Sequence, residues 1–181
     1  MPSPVLFDAV TLLHFACVGR LNLLAARYGH RTLPRWAEAV HDEIVRGQPV
    51  AGPECAAILG AVWLGEPAKP AASDRRGIQR LWVGLNEGRE PPIEHAGEAE
   101  SIYFAEKLGG VFATDDNAAY DFAERRLGVG RAIDTVLILR EAVAMDEITA
   151  GEAVDVASSI RAAGRHLRRH HPPVLTPDYF G

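Results

Sequence analysis

VFATDDNAAYDFAERRLG, residues 111–128, is the stretch whose reading decides the fold of this chain. Val111-Phe112-Ala113-Thr114 is a short apolar run of the length of a buried strand. Asn117 to Leu127 then places Ala119, Phe122, Ala123 and Leu127 on one face, the spacing of a helix, and Gly128 punctuates its end. Asp115 and Asp116 fall at the junction. In parallel sheets covered by helices, sites form at the carboxyl ends of strands. A strand–acid–acid–helix junction therefore puts two carboxylates where chemistry is expected.

Upstream, Glu98 to Leu108 reads as a helix ended by Gly109-Gly110. Val5-Leu6-Phe7 reads as a buried strand ending at Asp8, and Ala9 to Cys17 as the helix after it. Gly19 punctuates, and Leu21 to Tyr28 continues helically to Gly29. His30 to Leu33 is a weak second strand. Pro34 fits the first turn of a helix running through Trp36, Val40 and Ile44 to Gly47. Residues 48–95 are the least regular: a helix over Pro53 to Trp63, a loop over Gly65 to Ala72, and either a helix over Asp74 to Leu85 or a strand around Leu81-Trp82-Val83. Pro91-Pro92 mark another loop.

Downstream, Gly128-Val129-Gly130 allows one very short strand and Ala132 to Ala144 an apolar helix. Thr149 and Glu152 form a capping box for a last helix, with Ala153, Val156, Ala157, Ile160 and Ala163 on its buried face. Short apolar strands alternating with helices predict an α/β chain, a central parallel sheet with helices on both faces. Residues 1–164 are expected to form one domain. Residues 165–181, opening on RHLRRHHPP, are expected to be a basic, mobile tail.

The 181 residues are 48% hydrophobic and 24% charged, as in ordinary globular proteins. A formal net charge of −5 argues against a tight, non-specific nucleic-acid binder. It does not argue against an enzyme that holds phosphates through metal ions and a local basic patch. Cys17 and Cys55 lack metal-like spacing and read as free thiols suited to a reducing cytosol. Asp8 and His14 interrupt the only N-terminal apolar run, so neither a signal peptide nor a membrane span is expected and a cytoplasmic location is.

Acidic residues recur where strands end and helices begin. Asp8 ends the first strand, and an N-cap would explain it equally simply. Glu43 shares a helix face with Ala39 and Val40. Glu98 and Glu100 open a helix in GEAE, where the helix dipole already favours acids. Asp115 and Asp116 follow Thr114; turn formation and capping would explain one of them. Asp134 opens the apolar helix, where a cap is again the plain explanation. Carboxylates gathered at strand ends are costly unless a cation compensates them. Hard cations want several oxygens, and magnesium binds through a few carboxylates together with water and phosphates. Zinc is disfavoured because no His/Cys cluster has ligand spacing. His170-His171 would bind metal only adventitiously. His41 and His95 sit near acids in sequence, and His14 reads as a helix-surface or satisfied core residue. No Gly-rich phosphate loop or GxSxG is present, GVGR at 128–131 is too short for a dinucleotide fingerprint, and DAVT at Asp8 lacks the second Asp of an aspartyl-phosphatase motif.

VLFDAVTLL, an acid in a later helix, GEAESIYFAEKLGGVFATDD and RAIDTVLILREAVAMDEIT together resemble the PIN-domain family, in particular the subgroup whose third acidic motif reads G-E-A-E. The resemblance covers roughly Val5 to Ala163. It implies a three-layer α/β/α sandwich and a magnesium- or manganese-dependent endoribonuclease, often the toxin of a toxin–antitoxin pair and often a homodimer. By motif position, Asp8 is the first acid, Glu43 the second, Glu98 or Glu100 the third, and Asp116 or Asp115 the fourth. Asp134 stands where the subgroup often has Gly, adding a charge. Arg131, Arg165, Arg168 and Arg169 are the candidates to contact RNA phosphates. Two alternatives stand beside this reading: a non-catalytic module acting through a protein partner, and a DNA nuclease or phosphatase using the same acids.

Overall fold

The computed structural model describes residues 4–29, 35–87 and 95–181. Among them, β1 (Val5–Phe7), β2 (Val111–Ala113) and β3 (Ala132–Ile133) form a parallel sheet in the order β1-β2-β3. Leu6 pairs with Phe112 and Phe7 with Ala113; Ala113 in turn pairs with Ile133. Apart from half-buried Val111, every strand residue is buried, which is why the strands read as unbroken apolar runs.

Nine helices surround the sheet among the described residues: α1 (Ala9–Cys17), α2 (Leu21–Tyr28), α3 (Glu38–Gly47), α4 (Gly52–Leu59), α5 (Arg75–Leu85), α6 (Ala96–Lys107), α7 (Asn117–Leu127), α8 (Thr135–Ala144) and α9 (Ala150–Ala162). The chain is thus α/β, and its layering is compatible with an α/β/α sandwich. Helix α6 packs on β1 and β2, α7 packs on β2 and β3, and α9 joins α8 to α1. The Thr149–Glu152 capping box forms as read, and Ala153, Val156, Ala157 and Ile160 are buried beneath it. Ala163 caps that helix at the surface instead of joining its core. Cys17 and Cys55 are free thiols. No helix among the described residues is long and apolar enough to cross a membrane.

Several expectations shift. The weak strand at His30 to Leu33 lies outside the described residues, as do Pro34 and the Pro91-Pro92 loop. Leu81-Trp82-Val83 is helical, within α5. The short strand expected at Gly128-Val129-Gly130 is a turn: Gly128 and Gly130 have φ of 106° and 79°, which extended backbone does not accommodate. The third strand is instead Ala132-Ile133, and α8 begins only at Thr135, capped by Asp134.

The largest difference concerns residues 165–181, expected to trail as a mobile tail. They fold back onto the domain. Leu167, Leu175 and Phe180 are buried, and Arg161 grips the Pro172 and Pro173 carbonyls. Apolar side chains spaced through a basic segment supply the burial that ordering it requires.

Candidate functional site

Parallel register alone brings the rim together. The Asp8 N–H donates to the Ala113 carbonyl at 3.0 Å, and the Thr114 N–H donates to that of Ile133 at 2.9 Å. Asp8, Thr114 and Asp134 therefore follow three adjacent strand ends at the carboxyl edge. Asp8, Asp116 and Asp134 each cap the helix that follows, accepting from Thr11 (2.7 Å), Ala119 (2.7 Å) and Leu137 (2.9 Å). Capping occupies one carboxylate oxygen and leaves the other. The second oxygen of Asp8 accepts from the Thr114 hydroxyl.

Asp115 differs from its neighbours because it does not cap the helix that follows it and bonds instead to the first residue of α8. Only 4% exposed, it accepts through Oδ2 from the Thr135 N–H at 3.2 Å and from the Thr135 hydroxyl. His14 Nδ1 lies 3.3 Å from the same oxygen and 3.1 Å from Thr135 Oγ1. Asp115 Oδ1 has no hydrogen-bond partner among the described residues. An orphaned buried oxygen is rare and asks for an ion or water. His14 is the satisfied core residue of the two readings made for it. Its signal was a histidine inside the apolar run TLLHFAC, which burial obliges to find a partner.

The electrostatics tie Asp8 to Glu98 and Asp115. Burial raises the Asp8 carboxyl well above its ordinary range; the Thr114 and Thr11 bonds offset part of this, and the charges of Glu98 and Asp115 push it higher. Glu43 is open to solvent at its outer edge. The protein packed around it still raises its carboxyl, and the Glu98 charge adds to that shift. Glu98 also meets His95 Nδ1 at 2.9 Å. Gly97 makes the convergence of α3 and α6 possible: a Cβ there would lie 3.1 Å from Val40 Cγ2 and 3.4 Å from Glu43 Oε2.

Glu100 belongs elsewhere. Its Oε2 accepts from the Ala39 N–H at 3.0 Å, at the start of α3. Burial raises its carboxyl, and Glu38 and Asp42, not the rim acids, add to the shift. Glu100 lines a separate cleft of about 370 Å³ with Glu38, Arg75 and Trp82. Of the two acids in GEAE, Glu98 is the one that faces Asp8.

A cleft of about 550 Å³ at the rim is lined by His14, Asp115, Asp116, Arg165, His166 and Arg169. Two of the arginines proposed to meet phosphates, Arg165 and Arg169, thus line the same cleft as Asp115 and Asp116. The other two do not. Arg131 precedes β3, at the opposite edge of the sheet. Its guanidinium donates to the carbonyls of Gly110 (2.6 Å), Ala105 (3.0 Å) and Leu127 (3.2 Å), fastening the ends of α6 and α7. The misplaced third strand had put it at the wrong rim. Arg168 is buried, lying 3.3 Å over the Tyr120 ring and pairing with Asp121 at 3.1 Å and Asp134 at 3.5 Å.

Asp134 is drawn away from the other acids by that segment. His171 Nε2 lies 2.8 Å and His170 Nε2 3.9 Å from its Oδ2. Burial works to raise the Asp134 carboxyl, but the His171 bond, the Leu137 N–H and the Arg168 charge outweigh it and hold it below the ordinary range. Asp134, His170 and His171 could hold a metal ion: their ligand atoms lie within 4.8 Å of one another, the only such His/Cys/Asp/Glu group among the described residues. The rim acids are spaced more widely. Sequence reasoning missed the mixed group because Asp134 is more than thirty residues from the histidine pair and only the folded-back segment joins them.

A second, part-buried cluster has no mark in the local sequence. Asp74, at the start of α5, accepts from the Tyr103 hydroxyl and Lys107 Nζ, both at 2.8 Å, and joins α5 to α6. Compared with models of protein families, with curated proteins and with solved structures, the chain matches none.

Proposed function

We propose that this chain is a divalent-metal-dependent endoribonuclease working at the carboxyl rim of the sheet. One observation carries the reading: Asp115 Oδ1 is buried and has no partner among the described residues, while a second buried carboxylate, Asp8, is raised by its burial and further by the charges of Glu98 and Asp115. A cation relieves both problems at once. The donors are oxygens on four elements, which suits magnesium or manganese rather than zinc. Their spacing, wider than one tight ligand shell, suits an ion that keeps some of its waters.

Asp8 and Asp115 would hold the ion, with Glu98 and Glu43 reaching in from α6 and α3. When bound, such an ion supplies an activated water and neutralises charge on the scissile phosphate. Thr114 and Thr11 fix the Asp8 carboxylate, and Thr135 and His14 fix Asp115. Glu43, open to solvent with a raised carboxyl, is the group suited to accept the water's proton. Arg165 and Arg169 line the same cleft as Asp115 and would seat the flanking phosphates. The motif likeness to PIN-domain nucleases supports the same assignment independently. On that likeness rest the further proposals of a cognate antitoxin and a homodimer.

The test is cleavage of single-stranded RNA with magnesium, with chelator, and by Asp8→Asn. Metal-independent cleavage that survives the substitution sinks the mechanism. One observation favours the binding-module alternative: Asp8, Asp116 and Asp134 all serve as caps. Calorimetry with manganese separates the two, since a module whose rim acids only cap shows no binding that depends on Asp8 or Asp115. Parallel assays on DNA and small phosphate esters identify a DNA nuclease or phosphatase.

A further inference from the structure

We infer that Asp134, His170 and His171 form a second metal site, selective for a borderline dication such as zinc, which ties the C-terminal segment to the sheet. It is separate from the proposed magnesium site and stands or falls independently of the nuclease reading.

The donor set points to this class of ion. Two imidazoles and one carboxylate suit zinc and its first-row neighbours, whereas magnesium prefers oxygen alone. Tetrahedral zinc with bonds near 2.0 Å sets its ligand atoms about 3.3 Å apart. The distances from Asp134 Oδ2 to His171 Nε2 and His170 Nε2, 2.8 and 3.9 Å, bracket that value. The two ring centroids lie 3.8 Å apart, and both Nε2 atoms lie within 4 Å of the same Asp134 oxygen.

The surroundings are ordered for coordination. His171 Nδ1 meets the Tyr179 hydroxyl at 3.0 Å, which orients the ring and leaves Nε2 for the ion, as outer partners of ligating histidines do. Asp134 is fixed through its other oxygen by the Leu137 N–H. His170 is half exposed, giving an ion a route in and a water the fourth position. Arg168 is the competing cation, 3.5 Å from the same oxygen. It has a nearer carboxylate in Asp121 at 3.1 Å and a stacking partner in Tyr120, so it keeps both when Oδ2 turns to a metal.

The experiment uses the full, untagged chain. Cobalt(II) is titrated as a spectroscopic probe and zinc by calorimetry, and thermal unfolding is followed with and without zinc. The expected result is one zinc per chain, tetrahedral cobalt absorption bands, and a melting temperature raised by roughly 5 °C or more when zinc is at a hundredfold its Kd. His170→Ala, which removes a half-exposed ring and leaves the fold intact by circular dichroism, weakens zinc binding about tenfold or more. Asp8→Asn leaves zinc binding unchanged, so failure of the rim site and failure of this one are read separately. Absence of zinc binding, or binding unaltered by His170→Ala, overturns the site and leaves the cluster as a metal-free ionic clasp.

Discussion

The Thr114 hydroxyl donates to Asp8 Oδ2, and Thr114 Oγ1 in turn accepts the Asp116 N–H at 3.1 Å. One side chain at the end of β2 thereby fixes the carboxylate at the end of β1 and shapes the turn into α7. Thr114→Val removes the donor while keeping the shape. It is expected to cost about 1–3 kcal/mol, the penalty of leaving a buried acceptor unpaired, and to raise the Asp8 carboxyl further. Thr114→Ser retains the bond and most of the stability. Urea unfolding of the three proteins checks the order.

Asp8→Asn should separate stability from activity. Because the folded carboxyl is raised, Asp8 destabilises the metal-free protein progressively as pH climbs from the unfolded carboxylate value, about 3.9, through the folded one. An asparagine can still accept from Thr11 and can donate to Thr114 Oγ1. The metal-free variant is expected to gain about 1 kcal/mol or more at pH 7, with the gain vanishing below about pH 4. RNA cleavage should fall roughly a hundredfold or more. A thermal melt series across pH, in chelator, tests the first part; a variant less stable than the parent at neutral pH contradicts it.

Glu98 and Glu100 differ by two positions and face different clefts. Glu98→Gln is expected to weaken manganese binding and cut cleavage about tenfold or more, as loss of a charged ligand does. Glu100→Gln, remote from the rim acids, is expected to leave both within about twofold and to act on stability through the Ala39 cap alone. Calorimetry and cleavage rates on the pair give a direct comparison. Equal effects would mean that the orientation of α6 is wrong.

The arginines should divide by location. Arg169→Ala and Arg165→Ala are expected to raise KM for RNA and each to reduce the dependence of log affinity on log salt by about 1. Arg131→Ala leaves the Gly110 and Leu127 carbonyls without the guanidinium that donates to them, and is expected to cost about 2 kcal/mol of stability with no change in salt dependence. Binding of RNA at several salt concentrations, alongside denaturation, distinguishes the two classes.

Asp134 has the opposite sign to Asp8. Its folded carboxyl is depressed, so its stabilisation is present above the unfolded value, about 3.9, and is lost as pH falls through the lower folded value. Asp134→Asn is expected to destabilise the protein at pH 7 by about 3 kcal/mol, because Arg168 and His171 lose their buried partner. Its stability should then change less than the parent's between pH 4 and more acid conditions. Chemical denaturation at three pH values shows whether the two curves converge there.

The rim was legible because parallel strands obey a local rule. VLFD and VFATDD each show a buried strand ending in an acid, and parallel pairing puts such ends side by side whatever else the chain does. Arg131 was misjudged for an equally local reason: a turn of two positive-φ glycines was read as strand, and a shift of four residues carried the arginine across the sheet. Glu98 and Glu100 could not be ranked from GEAE, since both lie in the first turns of one helix. Only the packing of α6 against α3, permitted by Gly97, turns one toward Asp8 and the other toward Ala39.

By itself the sequence determined the α/β class, the strand-end acids and the helix caps, because apolar periodicity and capping depend on near neighbours in the chain. Tertiary structure decided which acids share a field, that Asp115 keeps an oxygen with no partner among the described residues, and that residues 165–181 close back to bring Arg165 and Arg169 into one cleft with Asp115 and Asp116 and the histidine pair onto Asp134. Those relations join residues tens of positions apart. They depend on which buried surfaces meet, and no local pattern records that.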